Sequence, residues 1–358
     1  VTNQTSGTSR PRRSAKPTIA DVAALAGVSV SAVSKVVNGR SGISAPTRQR
    51  VLDAADKLRW SPSVTAVALR GARTRAIGMV AGRSSDLLAT DPHFTVLISG
   101  IERELAPADY GLLLHIVGEE PGAEERAYRR LAAERRVDGV ILTESRIDDP
   151  RFELLRQLRL PAVLVGVPWQ ADPVVSVQAA GQEAGVRAAV RHLVELGHRE
   201  IAYVSGPEDR VHTVFRRRIF ESTLAGLGLR PGPVLISDFS AQGAVAATEE
   251  LLAAPAERRP TAVLFANDTM AVAAMNAARR LGFEVPRDLS VIGYDDLPLG
   301  EWVYPRLTTI GQDLFRLGQA TAAKMFRLLD PALAVAEPPP LRPPELVVRE
   351  STGPATPL

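Results

Sequence analysis

Two spacings of apolar residues divide the chain. Between Thr18 and Leu58 they recur at helical intervals. Ile19, Val22, Ala23 and Ala26 fall at i, i+3, i+4 and i+7; Val33, Val36 and Val37 form a second stripe, and Val51, Ala54, Ala55 and Leu58 a third. From Ala76 onward, short continuous apolar runs alternate with amphipathic stretches. The runs Ala76–Val80, Gly111–Val117, Gly139–Thr143, Ala162–Gly166 and Val174–Val177 read as one series of strands. Ile201–Ser205, Val234–Ser237, Ala262–Phe265 and Ser290–Gly293 read as another, with helices near 94–106, 122–135, 180–196, 213–227, 241–254 and 268–281. Such alternation predicts parallel sheets covered on both faces. Two series predict two subdomains, with small ligands expected at the carboxyl ends of the strands and in the cleft between them. A run at Leu307–Ile310, a helix over 311–329 and a strand near Glu345–Arg349 suggest repeated returns of the chain between subdomains.

The first stretch is punctuated as a helix-turn-helix. Thr18 can cap the first helix, with Asp21 in its first turn. Gly27 sits at the turn, Ser29 can cap the second helix, and Asn38-Gly39 ends it. The outward face of the second helix is Val30, Ser31, Ser34 and Lys35, short side chains apart from one cation, so it can approach a groove closely. A small alanine-rich hairpin is the other reading of two such helices. A third helix, capped by Ser44 with Pro46 in its first turn, completes a three-helix core and favours DNA reading. Ser61 and Pro62 then open a short apolar run to Gly71, followed by the basic linker Arg70, Arg73 and Arg75.

Charge sharpens this picture. The 358 residues carry a net charge of only +3. Through Arg75, however, there are 13 Lys and Arg against 3 Asp and Glu, which leaves 30 against 37 in the remainder. A basic module on an acidic body is a DNA-binding footprint. Residues 1–16 read as a disordered basic tail, either adding loose phosphate contacts or serving solubility. The sequence has no cysteine, which excludes disulfides, thiol catalysis and cysteine-ligated metals. The N-terminus lacks an apolar signal-peptide core and no apolar run reaches membrane-span length, so the expected compartment is the cytoplasm.

Residues 17–71 closely resemble the DNA-binding headpiece and hinge of the lactose/galactose repressor family, through TIADVAALAGVS, SAVSKVVNG and SAPTRQRVLDAADKLRWSPS at matching spacing. The resemblance implies a body like a periplasmic sugar-binding protein with three crossovers. The fold class expected is therefore an all-α headpiece plus an α/β body of two parallel-sheet subdomains. Val30, Ser31 and Lys35 match the family's base-reading positions; Thr18, Ser29 and Asn38 suit phosphates or caps, and Ser34 on the outward face joins the DNA-facing set. In the hinge, Ser63, Ala66 and Leu69 complete the DNA-facing set. Ala66 lets paired hinge helices approach, and Leu69 matches the minor-groove wedge. A homodimer on a palindromic operator is expected, because one headpiece reads a half-site.

For the effector, the family's pocket positions fall on Asn267, Asp295 and Arg216, with Phe94 and Trp302 as apolar walls. Asn267-Asp268 after a strand is equally a helix cap, a role expected of Asp268, and for Asp295 cap and ligand readings stand side by side. Gly181-Gln182 replaces a common Asp-Asn pair and Ile219 a usual glycine, so a sugar-like effector, an anionic one, or none are all open. The domains expected are a tail (1–16), headpiece (17–60), hinge (61–71), body (72–350) and tail (351–358). Within the body, the first subdomain takes about 76–176 and 307–330, the second about 177–306 and 331–350. No phosphate loop, dinucleotide fingerprint or nucleophile elbow is present, and the five histidines lack metal-ligand spacing. An enzyme is not expected, nor a cofactor or metal. A solute-binding protein would fit the body alone, but not the headpiece.

Overall fold

The computed structural model describes residues 17–37, 41–60, 73–83, 90–118, 120–333 and 340–356. The expected tail 1–16, Asn38, and the hinge with Ser63, Ala66 and Leu69 lie outside the described residues. The chain forms two units, one ending at Thr74 and one beginning at Arg75.

The first unit holds α1 (Ile19–Ala26), α2 (Val30–Val37) and α3 (Ala45–Lys57). Thr18 and Asp21 form a reciprocal capping box: the Thr18 amide donates to Asp21 Oδ2 at 2.7 Å and the Asp21 amide to Thr18 Oγ1 at 3.4 Å. Gly27 ends α1 at φ 63°, a left-handed turn that a side chain would strain. Ser29 Oγ accepts from the Ala32 amide at 3.1 Å, capping α2. Ser44 occupies the cap position of α3, but its hydroxyl donates to Thr47 Oγ1 at 2.9 Å and caps no backbone group. The three stripes meet in one core, with Val22, Val33 and Val51 fully buried.

The second unit opens with β1 (Ala76–Ala81), α4 (Pro92–Leu105), β2 (Gly111–Ile116), α5 (Ala123–Ala133), β3 (Gly139–Leu142), α6 (Arg151–Leu158), β4 (Ala162–Val165) and β5 (Val175–Val177). It continues through α7 (Glu183–Glu195), β6 (Ile201–Ser205), α8 (Val211–Gly226), β7 (Val234–Ile236), α9 (Ala241–Leu252), β8 (Ala262–Phe265), α10 (Asp268–Arg280) and β9 (Ser290–Asp295). The one-turn α11 (Leu299–Trp302), β10 (Thr308–Gly311), α12 (Leu314–Leu329) and β11 (Glu345–Val347) complete it. The helix α6 was absent from the expected pattern, although Phe152 and Leu155 give it a buried face. One sheet has the order β2-β1-β3-β4-β5, all parallel; the other has β11-β10-β9-β8-β6-β7, parallel except for β10–β11. Each sheet is covered on both faces by apolar helix residues.

The expected subdomain boundary at 307 falls one strand early. β10 pairs with β9, so residues 308–311 belong to the second sheet. Only α12 returns to the first, where Ala322, Met325 and Phe326 join the core of Ile77 and Met79. Among the described elements, crossings after β5, between β10 and α12, and between α12 and β11 connect the two sheets. Among the described residues no single helix is long and apolar enough to cross a membrane.

Candidate functional site: a DNA-reading helix and a cleft in the body

On α2, Val33 and Val36 turn inward, which leaves Val30, Ser31 and Lys35 exposed and Ser34 half-buried. Val30 is 44% exposed, a large apolar side chain left in water on the face that also carries the helix's one cation. Lysine can donate to guanine O6 and N7, and valine can touch a thymine methyl.

In the body, a cavity of about 220 Å³ lies between the two sheets, and residues just beyond the carboxyl ends of strands from both of them line it. From the first come Arg83 and Glu144, following β1 and β3, together with His93 and Phe94 at the start of α4. From the second come His212 and Arg216 on α8, Phe239 after β7, Asn267 and Asp295.

The charges are tightly paired. Arg83 Nε donates to Glu144 Oε1 at 2.6 Å, and its Nη2 donates to the same oxygen. The Phe94 and Phe239 rings flank its guanidinium, with centroids 5.0 and 5.2 Å from Cζ. Burial pushes the Glu144 carboxyl up, but the charge and hydrogen bonds of Arg83, helped by Arg210, outweigh it and hold the pKa down at about 2. His212 stacks on Phe239 at 5.7 Å. Burial and the nearby Arg216 hold its pKa well below the usual histidine value, so its imidazole is neutral.

Four of the five expected effector residues line this cavity. Phe94 forms a buried wall. Arg216 lays its guanidinium on the Tyr294 ring, 3.4 Å from the centroid, and donates to the Ala266 carbonyl at 3.3 Å. Asn267 lines the cavity, yet its polar atoms are engaged locally. Its Oδ1 accepts from the Met270 amide at 2.7 Å and its Nδ2 donates to the Phe239 carbonyl at 3.2 Å. Asn267 is thus the cap of α10 that was expected of Asp268. Asp268 lies buried in the first helical turn, accepting from Thr309 Oγ1 and, at 2.7 Å, from the Leu297 amide. Burial and the neighbouring Asp295 push its pKa well up. Asp295 caps nothing: at φ 114° it ends β9, accepts from Gln312 Nε2, and lies 3.3 Å from His93 Nδ1.

Trp302 does not line the cavity. It is 80% exposed at the end of α11, whose buried residue is Gly300, and Phe239 supplies the wall expected of it. Arg83, His93, Glu144, His212 and Phe239 were missed as site residues. Scattered in sequence, they share no motif; their common signal is position immediately beyond a strand or at a helix start.

Backbone also joins the two subdomains. The Ile147 amide donates to the Asp209 carbonyl at 2.9 Å and the Val211 amide to the Ser145 carbonyl at 3.0 Å, around an isolated bridge between Arg146 and Arg210. Farther along, Arg218 on α8 stacks over the Trp169 ring at 5.1 Å.

A three-helix DNA-reading module carried with a two-sheet body, cleft at its strand ends, defines a ligand-responsive DNA-binding regulator. The chain belongs to the LacI family of bacterial regulatory proteins. Residues 18–63 match the model for bacterial regulatory proteins of the lacI family, and 190–352 match that for the periplasmic binding protein-like domain. It is 35% identical over 306 residues to the HTH-type transcriptional repressor PurR of Aliivibrio fischeri, covering 84% of this chain and 88% of that one. It is 33% identical over 350 residues to the HTH-type transcriptional regulator CelR of Thermobifida fusca, covering 95% and 99%. Among solved structures, a lac repressor dimer bound to operator and the anti-inducer ONPF matches with a TM-score of 0.80 at 32% identity, over 94% of this chain and 99% of that one. A CelR–cellobiose complex matches with a TM-score of 0.69 at 31% identity over the same shares.

Proposed function

We propose that this protein is a homodimeric transcriptional repressor, acting in the cytoplasm, whose operator affinity is set by a small sugar-like effector in the cleft of the body. The observation that carries this reading is the convergence of Phe94, Arg216 and Asp295 from two subdomains on one cavity. Aromatic walls with a few fixed polar groups suit a polyhydroxylated ligand. An effector that touches both sheets has different affinities for joined and separated subdomains, and only such a difference shifts DNA binding. The relatives support the parts separately: PurR by name as a repressor, CelR with cellobiose, and lac repressor as a dimer on operator. Dimerisation is further favoured by Trp302 and Tyr304, 80% and 89% exposed, a pair of aromatics suited to burial against a second copy.

The test begins with selection of the operator from random duplexes by the full-length protein. Lys35→Ala is expected to cost about 1–3 kcal/mol on the selected site and to relax preference at one symmetric pair of positions. Equal losses on selected and random DNA would remove Lys35 as a base reader. A thermal-shift screen of mono- and disaccharides, cellobiose included, then seeks compounds that raise the melting temperature.

A further inference from the structure

The effector cavity contains a buried donor that no hydrogen-bond acceptor among the described residues satisfies. Arg83 is 7% exposed; its guanidinium lies over the Phe94 and Phe239 rings, and its Nε and Nη2 are taken by Glu144. The remaining nitrogen, Nη1, is buried without a hydrogen-bond partner, 3.8 Å from the nearest carboxylate oxygen, on Asp91. A rigid, desolvated cationic donor without an acceptor is unusual in a folded protein.

The cavity's carboxylates, by contrast, are already engaged, Asp313 by Arg316 among them. Glu144 is taken by Arg83, Asp295 by Gln312 and His93, and Asp91 accepts from the His93 amide at 3.1 Å. Arg216, facing the same cavity from the other subdomain, rests on a ring and a carbonyl, and among the described residues no carboxylate lies within 4 Å of it. Burial, then Arg216 and Arg83 against the opposing Glu144, disfavours protonation of His212, so no cation is added to the cavity there.

We propose that the cavity selects an effector bearing an anionic oxygen group, a phosphate or a carboxylate, held by the free Nη1 of Arg83 from the first subdomain and by Arg216 from the second. The proposal rests on the cleft being the effector site. It makes Arg83 the specificity-determining residue: the anion completes the donor set of one subdomain while touching the other, so that recognition and closure are one event.

The test is calorimetric titration of the full-length protein with matched compounds: glucose, cellobiose, glucose 6-phosphate, gluconate and inorganic phosphate. At least one of glucose 6-phosphate and gluconate is expected to bind at least tenfold more tightly than glucose, and the comparison of the two distinguishes phosphate from carboxylate. Arg83→Gln is expected to reduce that preference below twofold, with an unchanged circular-dichroism spectrum and a cooperative melt showing that the variant is folded. Arg83→Lys, which keeps charge but loses the planar fork, is expected to fall between them. Tighter binding of glucose or cellobiose, lost in Phe94→Ala but unaffected by Arg83→Gln, would overturn the anionic class and leave the cleft reading standing. Binding of none of the compounds, or an anionic preference that survives Arg83→Gln, would overturn the proposal.

Discussion

His93 Nδ1 lies 3.3 Å from Asp295 Oδ2, and this ion pair ties the start of α4 in the first subdomain to the end of β9 in the second. Burial opposes protonation of His93, but Asp295, aided by Asp91, outweighs it and raises the pKa above 6.5. A group so raised adds stability that is full below pH 6.5 and is lost as pH rises through the raised value. His212 has the opposite sign. With its pKa well below 6.5, its contribution is full above that pH and is lost as pH falls toward the lowered value. His93→Gln is therefore expected to make the melting temperature fall more steeply between pH 7.5 and 5.5, and His212→Gln to make it fall less. Melting curves at four pH values check both signs; identical profiles for wild type and His93→Gln would contradict the pairing.

Arg218 over Trp169 provides an optical readout of the cleft. Of the three tryptophans, Trp302 is exposed and Trp60 belongs to the headpiece, so Trp60→Phe with Trp302→Phe isolates Trp169. In that background an effector is expected to change Trp169 emission. Arg218→Ala is expected to shift the emission maximum and weaken the response.

The backbones of α4 and α12 touch at glycines. A Cβ on Gly100 would collide with the Phe315 carbonyl, and one on Gly318 with the Leu97 carbonyl. Backbone cannot yield as a side-chain tip does, so Gly100→Ala or Gly318→Ala is expected to cost about 3 kcal/mol. Thermal melting measures it, with Gly226→Ala, where the added methyl meets open space, as the neutral control.

The parts legible in the sequence were those set by local periodicity and local chemistry. The three headpiece stripes, the Thr18 cap with Asp21 in the first turn, and the Gly27 turn all depend on residues within a few positions of one another. The two strand series were legible for the same reason. What was hidden depends on distant partners. Leu307–Ile310 has the composition of any buried strand, and only its pairing with β9 assigns it to the second sheet. Asn267 and Asp268 are adjacent caps by composition, and the Thr309 hydroxyl that draws Asp268 inward lies 41 residues away in sequence. Trp302 suited an apolar wall by type, but a single helical turn decides which way it faces. Arg83, Glu144 and Phe239 come together only because three strands end at one cleft.

The account stands most directly on whether that cleft governs DNA binding. The decisive measurement is fluorescence anisotropy of the selected operator with full-length protein, titrated with and without a cleft-binding compound found by the calorimetric series, in wild type and Asp295→Ala. The expected result is a shift in operator Kd of tenfold or more in wild type, a coupling of about 1.4 kcal/mol, reduced below twofold in Asp295→Ala, with operator affinity in the absence of compound unchanged. An operator Kd in wild type that does not respond to the bound compound, or an equal response in Asp295→Ala, would contradict it.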